Sequence, residues 1–459
     1  MRGRKGLPAR VAPARPRDDA GVLRGGGAHA LHAPVAAALL ALGVVGACGP
    51  ADERTAGADR PGADEAGAPA ARVRPGLDVL ATDSLDLVRG RRVGLITNRS
   101  GVTRDGLSAI DVLAALEGVD LVVLFSPEHG IRGAAPEGER IEDEVDAATG
   151  LPVLSLYGGS RAPTPEALSD LDALLFDLQD IGARYYTYVS TMAYAMRAAG
   201  ESGIPFVVLD RPNPIDGHVQ GPVLEPAFAT FVGLYPVPAR HGMTAGELAR
   251  LYAGEFGIEV ELHVVPVEGW RRDMWFDETG LPWIPPSRNM PTLESATHYP
   301  GTCLFEGTNL SVGRGTPDAF RQIGAPWLEA DSLLARLEAR GLAGVRFEAI
   351  EFVPEGPTDG KYDGESVHGI RFTVTDREAY DPVRTAVAAL RDARDLAGSR
   401  WEWNPPHFDR LAGSDALRLA IEAGEAPAAI AASWDPELAA FRRLRAPYLI
   451  YGESGAADR

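Results

Sequence analysis

Residues 119–132 read VDLVVLFSPEHGIR, and the way this run stops decides the fold. From Leu121 to Phe125 the apolar residues follow one another without polar alternation, so a strand here must be covered on both faces, as in a parallel sheet. The run meets Pro127, which cannot donate to a ladder, and then places Glu128, His129 and Arg132 within five positions. The same phrasing recurs in RRVGLITN (91–98), LPVLSLY (151–157), ALLFDLQD (173–180) and IPFVVLDR (204–211). Amphipathic segments such as LSAIDVLAAL (107–116) and YVSTMAYAMRAAGES (188–202) lie between them. Buried strands alternating with helices predict a doubly wound α/β domain.

Further along, HGMTAGELARLYAGEFG (241–257) is a helix opened by Thr244 with Glu247 three positions later, the spacing of a capping box. VELHVVPVEGW (260–270) supplies another strand. After the proline-rich loop 281–296 the pattern changes: GVRFEAIEFVP (344–354) and VHGIRFTVTD (367–376) alternate like half-buried antiparallel strands, and DPVRTAVAALRDAR (381–394) reads as their covering helix. The division expected is 1–47 signal peptide, 48–76 lipidated N-terminus and flexible linker, 77–295 catalytic domain, and 296–459 a smaller α+β domain. The segments 415–427 and 437–452 are expected to pack on their own domain rather than on a partner.

The N-terminus looks processed. Residues 1–47 hold seven Arg or Lys against two acids, and an uncharged apolar stretch from residue 28 ends in Val45-Gly46-Ala47-Cys48, which is similar to a bacterial lipobox. Residues 49–76 are mostly Ala, Gly, Pro and charge, too poor in large apolar groups to offset the entropy of ordering, and read as a tether. An exported, membrane-anchored lipoprotein facing the periplasm or the cell exterior follows, with the lipid at Cys48 as its only membrane contact. Cys303, left alone, reads as a buried small hydrophobe. The remaining 412 residues carry 38 bases and 62 acids, which argues against nucleic acid as a partner. Only Lys5 and Lys361 are lysines, and Lys361 sits in a Gly- and Asp-rich loop without sign of desolvation, so Schiff-base chemistry is unsupported.

In open α/β sheets ligands gather at the carboxyl ends of the strands. Here those ends carry Asn98, Glu128 and His129, Tyr157, Gln179 and Asp180, then Arg211 and Asn213. Any one such cluster reads most simply as a capped turn; the set reads as a site. Dinucleotide, P-loop, H-E-x-x-H and G-x-S-x-G patterns are absent, no cofactor or resident metal is expected, and a metal would need scattered ligands such as His129, Asp180 and His241. Carboxylates on a polar rim suit glycoside hydrolysis, with Glu128 as first candidate acid, Asp180 and Glu225 as possible partners, and His129 tuning Glu128.

Seven ordered motifs carry a resemblance: GLITNRSG (94–101), LFSPEHGIRG (124–133), FDLQDIGARYYTY (176–188), VLDRPNP (208–214), GPVLEP with FVGLYPVPARHGMTAGELA (221–249), PPSRNMPTLESA (285–296) and FEGTNLSVGRGT (305–316). Together they resemble the NamZ-type exo-β-N-acetylmuramidases, from about residue 77 to the C-terminus. The resemblance implies release of terminal β-1,4-linked N-acetylmuramic acid from the non-reducing ends of peptidoglycan fragments, by a Rossmann-like domain closed over its cleft by the smaller domain. It puts the catalytic acid at Glu128 and maps later tyrosines and acids to Tyr185, Tyr186, Glu225 and Tyr235. Muramic acid bears an anionic lactyl ether, for which Arg132, Arg184, Arg211 and Arg314 lie within motifs; at least two of them are expected to pair with neighbouring acids. The motifs add His241, Asn289, Glu306 and Asn309 as candidate substrate contacts. A metal-dependent hydrolase of wall amides or esters, and a non-catalytic muropeptide-binding lipoprotein, are the competing readings.

Overall fold

The computed structural model describes residues 72–128, 130–131 and 143–452. A seven-stranded sheet organises the first half. Its strands are β1 (Arg92–Thr97), β2 (Asp120–Ser126), β3 (Glu144–Val145), β4 (Pro152–Ser155), β5 (Ala173–Asp177), β6 (Phe206–Leu209) and β9 (Leu262–Val265), in the order β3-β4-β2-β1-β5-β6-β9. All neighbours are parallel except the two-residue edge strand β3, which runs antiparallel to β4. The apolar runs thus form the buried parallel strands that their lack of alternation demands. The chain winds outward from β1 through β2 to β4, then returns to β5 on the other side of β1, so the topology reverses between β1 and β5.

Helices cover both faces. Against one face, α1 (Gly76–Asp83) and α2 (Ala109–Ala115) bury Leu77, Leu80, Ile110 and Leu113 with Leu95, Leu124 and Val207. Against the other, α3 (Pro165–Leu168), α4 (Tyr188–Glu201) and α5 (Ala245–Glu255) pack Leu168, Met192, Met196 and Leu248 on Phe125, Phe176 and Val208. The capping box of α5 forms as spaced, Thr244 accepting from the Glu247 amide and Glu247 from the Thr244 amide. Strands β7 (Gln220–Val223) and β8 (Pro238–Arg240) make a separate hairpin-like pair.

The smaller α+β part has a three-stranded antiparallel sheet, β10 (Gln322–Ala325), β11 (Val345–Phe352) and β12 (Val367–Val374), with β12 in the centre. Helices α6 (Leu293–Thr302), α7 (Ala330–Ala339) and α8 (Pro382–Ala397) pack on and beside it, followed by α9 (Pro405–Ala412), α10 (Ala416–Glu422), α11 (Pro427–Ala432) and α12 (Asp435–Arg445). One apolar core runs without a break from Ile96 to Phe441, through Tyr185, Tyr299 and Val387, so burial ties the two halves together. The tail departs from expectation: it crosses to the first half, where Arg445 donates to the His241, Gly242 and Gly217 carbonyls and the Tyr451 hydroxyl donates to Asp210 at 2.6 Å. A segment read as local cover is in fact a strap between the halves. Among the described residues no helix is long and apolar enough to cross a membrane.

Candidate active site

At the end of β2, Pro127 stops the ladder and the chain turns through Gly130, whose φ of 76° a glycine adopts without strain. This turn sets Glu128 down almost fully buried, 5% exposed, and its Oε2 accepts a 2.6 Å hydrogen bond from Thr187 Oγ1. Thr187 is the N-cap residue of α4, so the Glu128 carboxyl group sits beside the N-terminus of a 14-residue helix. Next to Thr187, the buried Tyr186 hydroxyl has no aligned hydrogen-bond partner. Burial pushes its pKa up; nearby Ser287 and Tyr188 only partly offset this, and Asp180 and Glu128 push the same way. Its ring is fixed edge-on between Tyr188 at 4.9 Å and Tyr299 at 5.9 Å.

Asp180 follows β5. Its Oδ2 accepts from the Gly182 amide at 2.7 Å and faces His241 Nε2 at 3.5 Å, while Oδ1 is buried without a hydrogen-bond partner. The Met243 amide donates to His241 Nδ1 at 3.2 Å, so in neutral His241 the proton sits on Nε2, toward Asp180.

Other strand ends spend their polar groups on the protein. Asn98 donates to Tyr188 Oη and the Pro286 carbonyl and accepts twice from Ser100, leaving it no spare donor. Asn213 donates to the Met243 carbonyl and accepts from the Ile215 amide. Arg211, expected at the lactyl carboxylate, instead grips Asp177 with Nε at 2.5 Å and Nη2 at 3.1 Å and donates to the Val102 carbonyl. Asp210 accepts from Thr244, Tyr451 and the Arg211 and Gly246 amides; burial nevertheless raises its pKa to about 6, with Glu247 nearby adding to the rise. The crevice at the topological switch point, beside Ser100, Gln179 and Arg211, retains only about 10 Å³. The space at the reversal itself, where the strand-end rule would seat a ligand, is filled.

Arg184 is buried with its Nη2 donating to the Leu411 carbonyl at 2.7 Å, at the C-terminal end of α9; burial pulls its pKa down to about 10. The Tyr185 hydroxyl donates to the Pro300 carbonyl. Tyr235 accepts from Arg197 at 2.7 Å and stacks on Phe256 at 4.5 Å. Glu225 is exposed, its amide donating to the Gly413 carbonyl. Asn309 is tied to the Arg400 carbonyl and the Glu402 amide. His129, Arg132 and Cys48 lie outside the described residues.

A second polar cluster comes from the smaller part. Arg314 Nε donates to Glu306 at 2.6 Å, and Arg314 and Asn289 both donate to Thr358 Oγ1 at 3.2 Å. Burial would raise the Glu306 pKa, but Arg314, His407 and Lys361 together hold it below the usual value. Two of the four motif arginines thus pair with acids, Arg211 with Asp177 and Arg314 with Glu306. Lys361 corrects its loop reading: it is largely buried, its pKa is lowered by that burial, and its ammonium donates to the Phe305, Glu306 and Leu310 carbonyls. With three acceptors filling its three donors, it serves as a clamp on that turn rather than as a nucleophile. Cys303 is buried as expected, 3.5 Å from Glu306 Oε2. Among the described residues no three His, Cys, Asp or Glu side chains converge as a metal ion would require.

Sequence reasoning missed Thr187, Ser287, Thr358 and His407. Thr187 stands inside the FDLQDIGARYYTY motif, one place from Tyr186, and its helix-start position was the available signal. Thr358 lies in a loop with no motif of its own, and only folding brings it to Asn289.

Residues 93–294 match the model for the N-terminal part of the exo-β-N-acetylmuramidase NamZ, and residues 297–451 match that for its C-terminal part. The peptidoglycan β-N-acetylmuramidase NamZ of Bacillus subtilis (strain 168) is 47% identical over 382 residues, 83% of this chain and 92% of that protein. Two crystal structures of DUF1343 family proteins from Bacteroides fragilis NCTC 9343 are similar. One has a TM-score of 0.75 and 34% identity, covering 83% of this chain and all of that one. The other has a TM-score of 0.68 and 30% identity, covering 83% and 99%.

Proposed function

The chain belongs to the exo-β-N-acetylmuramidase NamZ family, and from that membership we propose that it removes terminal β-1,4-linked N-acetylmuramic acid from the non-reducing ends of peptidoglycan fragments in cell-wall turnover. The match of both family models, spanning both halves of the described fold, carries this reading.

Glu128 is the general acid in this proposal. A glycosidic oxygen must be protonated as its bond to the sugar breaks, and Glu128 is a carboxyl group on a rigid strand end, oriented by Thr187. Tyr186 lies near both Glu128 and Asp180, and its buried hydroxyl, beside Ser287 and Tyr188, has no well-aligned hydrogen-bond partner. Buried polar atoms are normally satisfied, so the unpartnered Asp180 Oδ1 and the poorly aligned Tyr186 hydroxyl suit a bound sugar. We assign Asp180, His241 and Tyr186 to the reacting sugar, and the Arg314, Asn289 and Glu306 cluster to its substituents. The chain uses no cofactor in this scheme.

Residues 77–295 form the catalytic domain of this reading and 296–459 the part that closes its cleft. Residues 1–47 are its export signal and Cys48 its lipid attachment point, with 49–76 the tether on the periplasmic or outer face. The apolar run before Cys48 and the low-complexity stretch after it support this, and mass spectrometry of the mature N-terminus checks it.

Incubation with a muramyl-β-1,4-glucosamine disaccharide, both sugars N-acetylated, tests the activity. Free N-acetylmuramic acid is the expected product, and chelator leaves the rate unchanged. A rate abolished by chelator and restored by metal would favour the metallohydrolase instead.

A further inference from the structure

Next to Glu128, on the β4 side, stands a group of side chains that the scheme above does not use. β2 and β4 pair Ser126 with Ser155, so Glu128 and Tyr157 leave neighbouring strands two residues beyond the same register point. The Tyr157 ring lies 5.9 Å from Phe231, and Tyr194 stacks on the same phenylalanine at 6.1 Å and 27°. Tyr194 is seven residues along α4 from Thr187, the donor to Glu128, and therefore on the same side of the helix. Arg161 lays its guanidinium 4.4 Å over the Phe231 ring. Phe231 is buried, Tyr157 half-buried and Arg161 exposed, and among the described residues no carboxylate forms an ion pair with Arg161. Of this cluster Tyr194 also lines a groove of about 500 Å³ between α3 and α4, together with Pro163, Arg197 and Glu201.

A group that protonates a glycosidic oxygen sits between the two sugars it separates. Glu128 divides the rim in that way: Asp180 and Tyr186 follow β5 on one side, with His241 against Asp180, and the Tyr157 cluster follows β4 on the other. We propose that Tyr157 and Arg161 form the subsite for the leaving saccharide, the N-acetylglucosamine on the reducing side of the scissile bond. This rests on the muramidase reading and deepens it. Tyr157 offers a ring face to the apolar C–H face of a pyranose. Arg161, pre-placed by its stacking on Phe231, offers guanidinium donors to hydroxyl or acetamido oxygens. The groove takes the saccharide that continues beyond the first leaving sugar.

The experiment compares two substrates: the muramyl–glucosamine disaccharide, and the N-acetylmuramyl fluoride, whose leaving group is a single atom. For Tyr157→Ala and Arg161→Ala, the ratio of kcat/KM on the disaccharide to kcat/KM on the fluoride falls about tenfold, mainly through KM, because binding confined to the leaving sugar is lost. Tyr157→Phe keeps the ring and the wild-type ratio. Arg161 is exposed, so its variant reports even where Tyr157→Ala folds poorly. An unchanged ratio in Arg161→Ala, with wild-type protein active on both substrates, overturns the subsite alone. Wild-type protein that frees muramic acid from neither substrate overturns the muramidase reading and the subsite with it.

Discussion

At the ends of β5 and β6, Asp177 and Asp210 are enclosed by groups that answer them: the Arg211 fork on Asp177, and Thr244, Tyr451 and two backbone amides on Asp210. At the end of β2, Glu128 has the α4 N-terminus and Thr187, and around it lie the Tyr186 hydroxyl, an aromatic cluster and Arg161, which pairs with no carboxylate among the described residues. In sequence both edges read alike, as an apolar run ending in acid and base. One edge uses its charge to join elements of the fold, since the Asp210 network pins α5 and the C-terminal strap. The other carries the groups that the proposed scheme assigns to the sugar.

Breaking the Glu128 edge has the largest expected effect. Glu128→Gln keeps the shape and the acceptor for Thr187 but removes the titratable proton, so turnover on the disaccharide drops by about 10²–10⁴-fold while the melting temperature stays near wild type. Near-normal turnover would move the acid elsewhere.

The contrasting edge fails through stability. Asp177→Ala strands the buried Arg211 guanidinium, and urea unfolding reports a loss of about 3–5 kcal/mol. A loss below about 1 kcal/mol would place this pair with weak surface pairs and erase the contrast.

Asp210 sharpens the comparison through pH. Burial holds its folded pKa up at about 6, above the value near 4 of an unfolded aspartate. Between these values the native state binds the extra proton, so this group's contribution makes stability fall as pH rises from about 4 to about 6, by on the order of 3 kcal/mol. Unfolding measured across that window shows this decline in wild type, and Asp210→Asn loses it. An identical slope in both proteins would assign the proton to another group.

The smallest effect is at Thr187. Thr187→Val removes a hydrogen bond to a carboxylate, which lowers kcat by roughly tenfold, and Thr187→Ser restores most of it. Equal losses in both variants would point to helix packing rather than to orientation of Glu128.

Much of the fold was legible because it rests on local periodicity. Runs without alternation had to be parallel strands covered on both faces, and the Thr244–Glu247 spacing specified a helix start. The site was legible only as a roster. Glu128, Asp180 and His241 were named and do lie along one rim, but the roles of Asn98, Asn213 and Arg211 turned on partners far away in the chain. Asn98 meets Pro286 across 188 positions, and no spacing rule reaches that far.

The sequence by itself determined the α/β class, the order of the strands' chemistry, and which acid follows the proline after β2, because these depend on neighbours within a few residues. Tertiary structure alone decided which charges are spent on other charges, that Lys361 holds three carbonyls rather than solvent, and that the tail straps one half to the other. The physical reason is that desolvation and pairing are set by whatever surrounds a group in space, and two side chains of one type differ only in what folding brings to them.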